Sequence, residues 1–156
     1  MIQRIQSLLY LIASVLLITW FFTPIVSYQV TDVTTTFDLC YIKSDKPFSA
    51  APSLPFVAWA PYLVVALALA YLVVIFLYNN RRLQLLVGKA LVLGNLVLVV
   101  ATILAYGEFK DTMPSSGSFA YHFGLFIPLL TLAAAFFANK AVKKDEDLVR
   151  AADRLR

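Results

Sequence analysis

The chain has 156 residues, of which 61% are hydrophobic and 14% charged, and its mean hydropathy of +0.80 excludes an ordinary soluble domain. Its net charge of +4 would suit nucleic acid only if the basic residues shared a folded face, but they stand at the ends of apolar runs, where the positive-inside rule puts them, so membrane lipid is the expected partner and nucleic acid is not. Cys40 alone cannot close an intramolecular disulfide, and with His122 as the one histidine a multi-ligand metal site would need carboxylates or a second chain, so no metal or cofactor is expected.

In chain order, a short polar start with Arg4 leads into the first charge-free run, 8–26. About 20 helical residues cover the roughly 30 Å hydrocarbon core, so this run is long enough for a span. Arg4, the apolar stretch 8–22, the breaker Pro24 and the small Ser27 also have the shape of a cleaved leader. An uncleaved span is the expected reading. The outer loop 27–55 follows. Val33, Thr35, Phe37, Leu39 and Tyr41 alternate with Thr34, Thr36, Asp38, Cys40 and Ile42, which predicts a strand over 30–42. A turn over 43–47 and a proline-rich extended connector over 48–55 end it. A lone strand is not stable in water, so it must pair as a hairpin, with the later loop, or with another protein.

The second span, 56–78, carries no charge and has Pro61 near its start. Ala66 and Ala70 lie one turn apart, a spacing that lets helix backbones approach. Residues 79–82 predict a tight hairpin into the third span, 83–106. There Ala90, Gly94, Ala101 and Ala105 form a stripe of small residues expected to be its packing seam. Lys89 is the one charge inside an apolar run. An intramembrane amine is a functional candidate, but about 10 Å of helix separates Lys89 from Arg82, a distance a lysine can largely snorkel. Asn95 lies nearer mid-span and is expected to hydrogen-bond across helices.

The second outer loop, 107–118, holds Glu108, Lys110 and Asp111. In the fourth span, 119–138, Pro128 is expected to kink the helix. His122, near its outer end, is conceivable as a pH sensor, but the expected reading is an interfacial histidine bonded to Glu108, Asp111 or water. The charged tail 139–156 reads as helical, with Ala141, Leu148, Ala152 and Leu155 on one stripe and Lys143–Asp147 and Glu146–Arg150 spaced i, i+4. Asp147, Arg150, Asp153 and Arg154 are its candidate partner-contact residues.

Arg4, Arg81, Arg82, Lys89, Lys140, Lys143, Lys144, Arg150, Arg154 and Arg156 lie outside the two outer loops, which hold only Lys43, Lys46 and Lys110. This asymmetry places both termini in the cytoplasm and the two loops outside a bacterial inner membrane. The opening Met1-Ile2-Gln3-Arg4-Ile5-Gln6, the Arg81-Arg82 hairpin, and the closing Lys144-Asp145-Glu146, Leu148-Val149-Arg150 and Ala152-Asp153-Arg154-Leu155-Arg156 together resemble a family of small four-span membrane proteins of unknown function found in Bacteroidetes-type bacteria. The resemblance implies a location and a topology, with no activity, cofactor or catalytic residue.

The expected fold is an all-α membrane protein, a four-transmembrane-helix bundle over 1–138 with a small β element in its outer loops. The expected function is that of a non-enzymatic accessory or assembly subunit of a membrane complex, contacting another membrane protein or a second copy of itself. The alternative is a small oligomeric channel or transporter in which Lys89, Asn95 and His122 line a path. The spans carry no carboxylate, and the chain has no nucleophile elbow, phosphate loop or histidine pair, so no enzyme is expected.

Overall fold

The computed structural model describes residues 2–30, 33–44, 54–114 and 116–154, with side chains at 5–30, 33–44, 54–78, 80–114 and 116–149. Within them, helices α1 (Ile2–Thr19), α2 (Pro55–Phe76), α3 (Arg81–Thr112) and α4 (Ile127–Arg154) form a ring in which α1 and α3 each pack on both α2 and α4. All four are long and apolar enough to cross a membrane. Helix α1 shows the patterning that goes with this. It turns Gln6, Tyr10, Ala13, Ser14 and Leu17 inward and leaves Leu8, Leu11, Ile12, Val15 and Ile18 exposed. Such a surface suits hydrocarbon, whereas in water it would be a large unsatisfied apolar patch.

The first span is shorter than the apolar run 8–26 suggests. After Thr19 the chain makes a 3-10 turn, Trp20–Phe22, and Thr23 turns extended, as the residue before a proline prefers. Strand β1 (Val26–Val30) then starts inside the expected helix. The strand expected over 30–42 is broken into β2 (Val33–Phe37) and β3 (Ile42–Ser44), joined by a turn in which the Asp38 N–H donates to the Tyr41 carbonyl at 3.0 Å. Strand β4 (Ser118–Tyr121) comes from the second loop and occupies the expected start of span four. The antiparallel sheet has the order β3-β2-β1-β4, with Ser27 opposite Thr36 on one side and Ala120 on the other. The expected strand thus pairs locally, β2 lying between β1 and β3, while β4 of the later loop pairs with β1. Phe37 fixes the sheet to the bundle, stacking on Phe109 of α3 at 5.3 Å and meeting Phe56 of α2 edge-on at 6.0 Å.

Other expected boundaries also move. Helix α3 continues to Thr112 rather than 106, so the second loop is mostly helix and strand. Helix α4 starts at Ile127, which puts Pro128 in its first turn, where a missing N–H is harmless, and not mid-span as a kink. Helix α4 runs on past 138 without interruption to Arg154, so the tail is helical through that residue, as its pattern predicts. The small-residue seams hold in part, since Ala105 is buried, Gly94 faces Leu67 of α2, and Ala70 and Ala101 pack on the core. Ala66 and Ala90 are exposed, while the buried stripe of α3 runs through Gln84, Gly88, Leu91, Asn95, Leu98, Thr102 and Ala105. The connector 48–55 is described only from Leu54, which is buried.

Candidate functional site

The end of the bundle carrying the α2–α3 hairpin is tied together by polar side chains of α1, α3 and α4, with α2 contributing a backbone carbonyl. Gln6 Nε2 donates to the Ala141 carbonyl at 3.1 Å, Tyr10 Oη to Asn139 Oδ1 at 3.2 Å, and Gln84 Nε2 to the Val74 carbonyl at 3.3 Å. Arg81 Nη1 pairs with Asp145 Oδ2 at 3.1 Å and reaches the Asp145 carbonyl at 3.4 Å. Among the described residues the expected Lys143–Asp147 bridge is not formed. Gly88 makes the convergence feasible, because a Cβ there would collide with Asn139 Oδ1 and stand 2.7 Å from Tyr10 Oη. Nearer mid-bundle, Ser14 Oγ donates to the Ala68 carbonyl at 3.1 Å.

Beside these ties, a groove of about 550 Å³ opens between α3 and α4. On α3 its wall is Leu85, Lys89, Val92 and Leu93, and on α4 it is Phe136, Asn139, Lys140 and Lys143, each set spaced to share one helix face. Lys89 is exposed along this groove rather than buried in the core, and it has two further lysines for company. Asn95 is fully buried and donates from Nδ2 to Tyr71 Oη across α2 and α3, which is the interhelical bond its position predicts.

His122 lies at the opposite, sheet-bearing end. Its Nε2 is hydrogen-bonded to Ser27 Oγ and its backbone N–H donates to the Ile25 carbonyl at 3.1 Å. Neither Glu108 nor Asp111 bonds it, which corrects the expected partners. These two lie on the exposed last turns of α3, whereas His122 follows β4 and is brought by sheet register to β1. Asp38 is near enough to feel the charge of His122. Burial pushes its carboxyl above the ordinary value, against the opposing pull of the Tyr41 hydrogen bond, His122 and Lys43. Activating a serine needs a histidine whose second nitrogen is oriented by a third group. Among the described residues no carboxylate makes that bond, and the Ser27–His122 pair serves as a tie between β1 and the segment after β4. Nor do the described residues group three His, Cys, Asp or Glu side chains for a metal.

Lys89, Asn95 and His122 therefore occupy three separate surroundings, namely a lateral groove, the core and the sheet, and line no common path within one chain. Asp147 is exposed on α4. Arg150, Asp153 and Arg154 follow on the same helix, with their side chains outside the described set. Sequence reasoning missed Lys140 and Lys143 as companions of Lys89, although their spacing of three after an apolar run was a usable signal. It missed Ser27 because the apolar run up to Val26 read as helix.

No curated protein matches this chain. A family model described as "Domain of unknown function (DUF4293)" matches residues 2–155, which takes in all four helices, the sheet and both polar ends. The chain belongs to the DUF4293 family.

Proposed function

We propose that this is a bacterial inner-membrane protein, with both termini and the 79–82 hairpin in the cytoplasm, that acts as a non-enzymatic accessory or assembly subunit of a membrane complex. The supporting observation is the uninterrupted α4. Its apolar part, 127–138, is followed by a further 16 helical residues, 139–154, about 24 Å of helix at 1.5 Å per residue. Arg81–Asp145 and Gln6–Ala141 brace the root of this arm against the bundle. Beyond that root, Asp147, Leu148 and Val149 are exposed, the last two at 52% and 42%. A rigid, charged helix that also presents apolar side chains is the shape used to dock a partner through a helix face. The polar groups inside the bundle are spent on holding it together, so contact rather than conduction or chemistry is what the molecule offers.

The test is affinity purification of the tagged protein at native level from mildly solubilised membranes, with mass spectrometry of what is retained. A defined larger membrane partner is expected at stoichiometric yield, and Asp147→Lys combined with Leu148→Ser should strip it while the bundle still melts at the wild-type temperature. A clean homo-oligomer with no partner would sink the reading.

A further inference from the structure

The α3–α4 groove is not the only lateral furrow on the bundle, and the comparison between two of them is informative. A groove of about 680 Å³ between α1 and α2 is walled by Ser7, Leu8, Leu11, Leu72, Ile75, Phe76 and Tyr78, with no charged side chain. The α3–α4 groove, of similar size, brings Lys89, Lys140 and Lys143 to one apolar furrow. Side chains on a helix lean toward its N-terminus. The two helices are antiparallel, so Lys89 leans toward the basic end while Lys140 and Lys143 lean away from it, toward Lys89. Among the described residues none of the three takes part in an ion pair, the pair at this end being Arg81–Asp145. Three cations thus line a furrow whose walls farther from the basic end, Leu93 and Phe136, are apolar and exposed.

We infer that this groove is a binding site for an anionic phospholipid, its phosphate held by Lys89, Lys140 and Lys143 and one acyl chain laid along Leu93 and Phe136. Charge complementarity selects the occupant. A zwitterionic lipid would bring an ammonium group among three unpaired lysines, whereas a phosphatidylglycerol-type headgroup brings its phosphate charge without one, and basic pockets between spanning helices bind such headgroups. The lysine at an apolar position, Lys89, acquires a purpose that snorkelling alone does not give it, because its amine rises to the level where headgroup phosphates lie. The bound lipid would complete the packing between α3 and the root of the α4 arm. The inference rests on the helices crossing a bilayer and is independent of whether the arm docks a partner.

The experiment begins with carbonate extraction of membranes, which reports the membrane reading on its own, since an integral protein stays in the pellet. The purified protein is then mixed in detergent with equimolar phosphatidylglycerol and phosphatidylcholine, and retained lipid is counted by native mass spectrometry. Wild type is expected to hold one phosphatidylglycerol in preference to phosphatidylcholine. The triple variant Lys89→Gln, Lys140→Gln, Lys143→Gln should lower that preference by roughly a hundredfold, on the basis of about fivefold for each lysine beside an anionic headgroup. The matching triple Lys→Arg variant should retain it, and Lys43→Gln at the sheet end should leave it unchanged. Equal retention of the two lipids by carbonate-resistant wild type would overturn the inference without touching the membrane reading. So would an undiminished preference in the glutamine variant. If that variant does not fold, Leu93→Trp, which fills the apolar part of the furrow, takes its place. A site built for an acyl chain must then lose its lipid, and full retention by Leu93→Trp would overturn the inference equally.

Discussion

At the residue scale, what a glycine allows depends on which atoms stand where its side chain would be. A Cβ at Gly124 would collide with the Pro24 carbonyl and stand 2.9 Å from Thr23 O, and both are backbone atoms that carry the chain from α1 into β1. At Gly107, by contrast, nothing lies within 4 Å, and the residue is inside helix α3, where glycine costs about 0.5–1 kcal/mol relative to alanine. Gly124→Ala should therefore destabilise by about 1–3 kcal/mol as overpacking against an unyielding neighbour, and Gly107→Ala should be neutral or stabilising. Thermal melts followed by circular dichroism in detergent check both signs, and a shared sign would contradict the packing described. Asp38 gives a pH signature. Burial raises its carboxyl above the ordinary value, so the folded protein holds that proton more tightly than the unfolded chain does. The associated stability is fully present below the ordinary carboxylate value, about 4, and is lost as pH rises through the raised value. Asp38→Asn keeps an acceptor for Tyr41 and removes the charge, so it should melt higher than wild type at neutral pH, with the gap closing on acidification. A gap that stays constant with pH would mean that the Asp38 charge is not its source.

At the scale of elements, the four helices were legible because each apolar run is about as long as the hydrocarbon core is thick, a signal that needs no knowledge of neighbours. What was not legible is where each run stops. Residues such as Ile25, Val26 and Phe119 are equally apolar in a helix or a strand, and periodicity cannot divide a continuous apolar run between them. The decision is tertiary. Val26 is a strand residue because Phe37 and Tyr121 pair with it on either side, and β4 exists because β1 offers it an edge. Thr23 and Pro24 were a local clue, since a pre-proline residue resists the helix. The small-residue stripes were right only in part, for a related reason. Spacing alone gives several stripes per helix, and Gly88 rather than Ala90 faces the bundle because Tyr10 and Asn139 meet there. The same limit applies to the candidate site. Lys89 was visible as a charge in an apolar run, but its association with Lys140 and Lys143 depends on α3 and α4 packing antiparallel, which no single segment encodes.

For the whole molecule, the governing feature is that its two ends differ chemically. One end gathers Arg81, Arg82, Lys140, Lys143 and Lys144 beside Asp145, Glu146 and Asp147, and the other carries a sheet with only the lysines Lys43 and Lys110 and the carboxylates Asp38, Glu108 and Asp111 among its described residues. Exposed aromatic side chains at the sheet end, among them Phe22, Trp59, Tyr62, Tyr121 and Phe123, suit the boundary between hydrocarbon and water. If lysine and arginine asymmetry sets the orientation, the sheet faces outward and the basic end stays in the cytoplasm. Cys40 supplies the probe, because it is the chain's one cysteine and is exposed beside the sheet. Burial and the neighbouring Asp38 hold its thiol above the ordinary value, so labelling belongs at mildly alkaline pH, where more of the thiolate forms. In intact spheroplasts a membrane-impermeant maleimide should label Cys40. In a Cys40→Ser background, Asn80→Cys, placed at the exposed hairpin on the other end, should label only after the membrane is opened. The reverse pattern would put the lysine groove on the outer face and invert the orientation proposed above. Labelling at both positions in intact spheroplasts would mean that the two ends do not lie on opposite sides of a bilayer, and the charge asymmetry would then need an explanation other than membrane insertion.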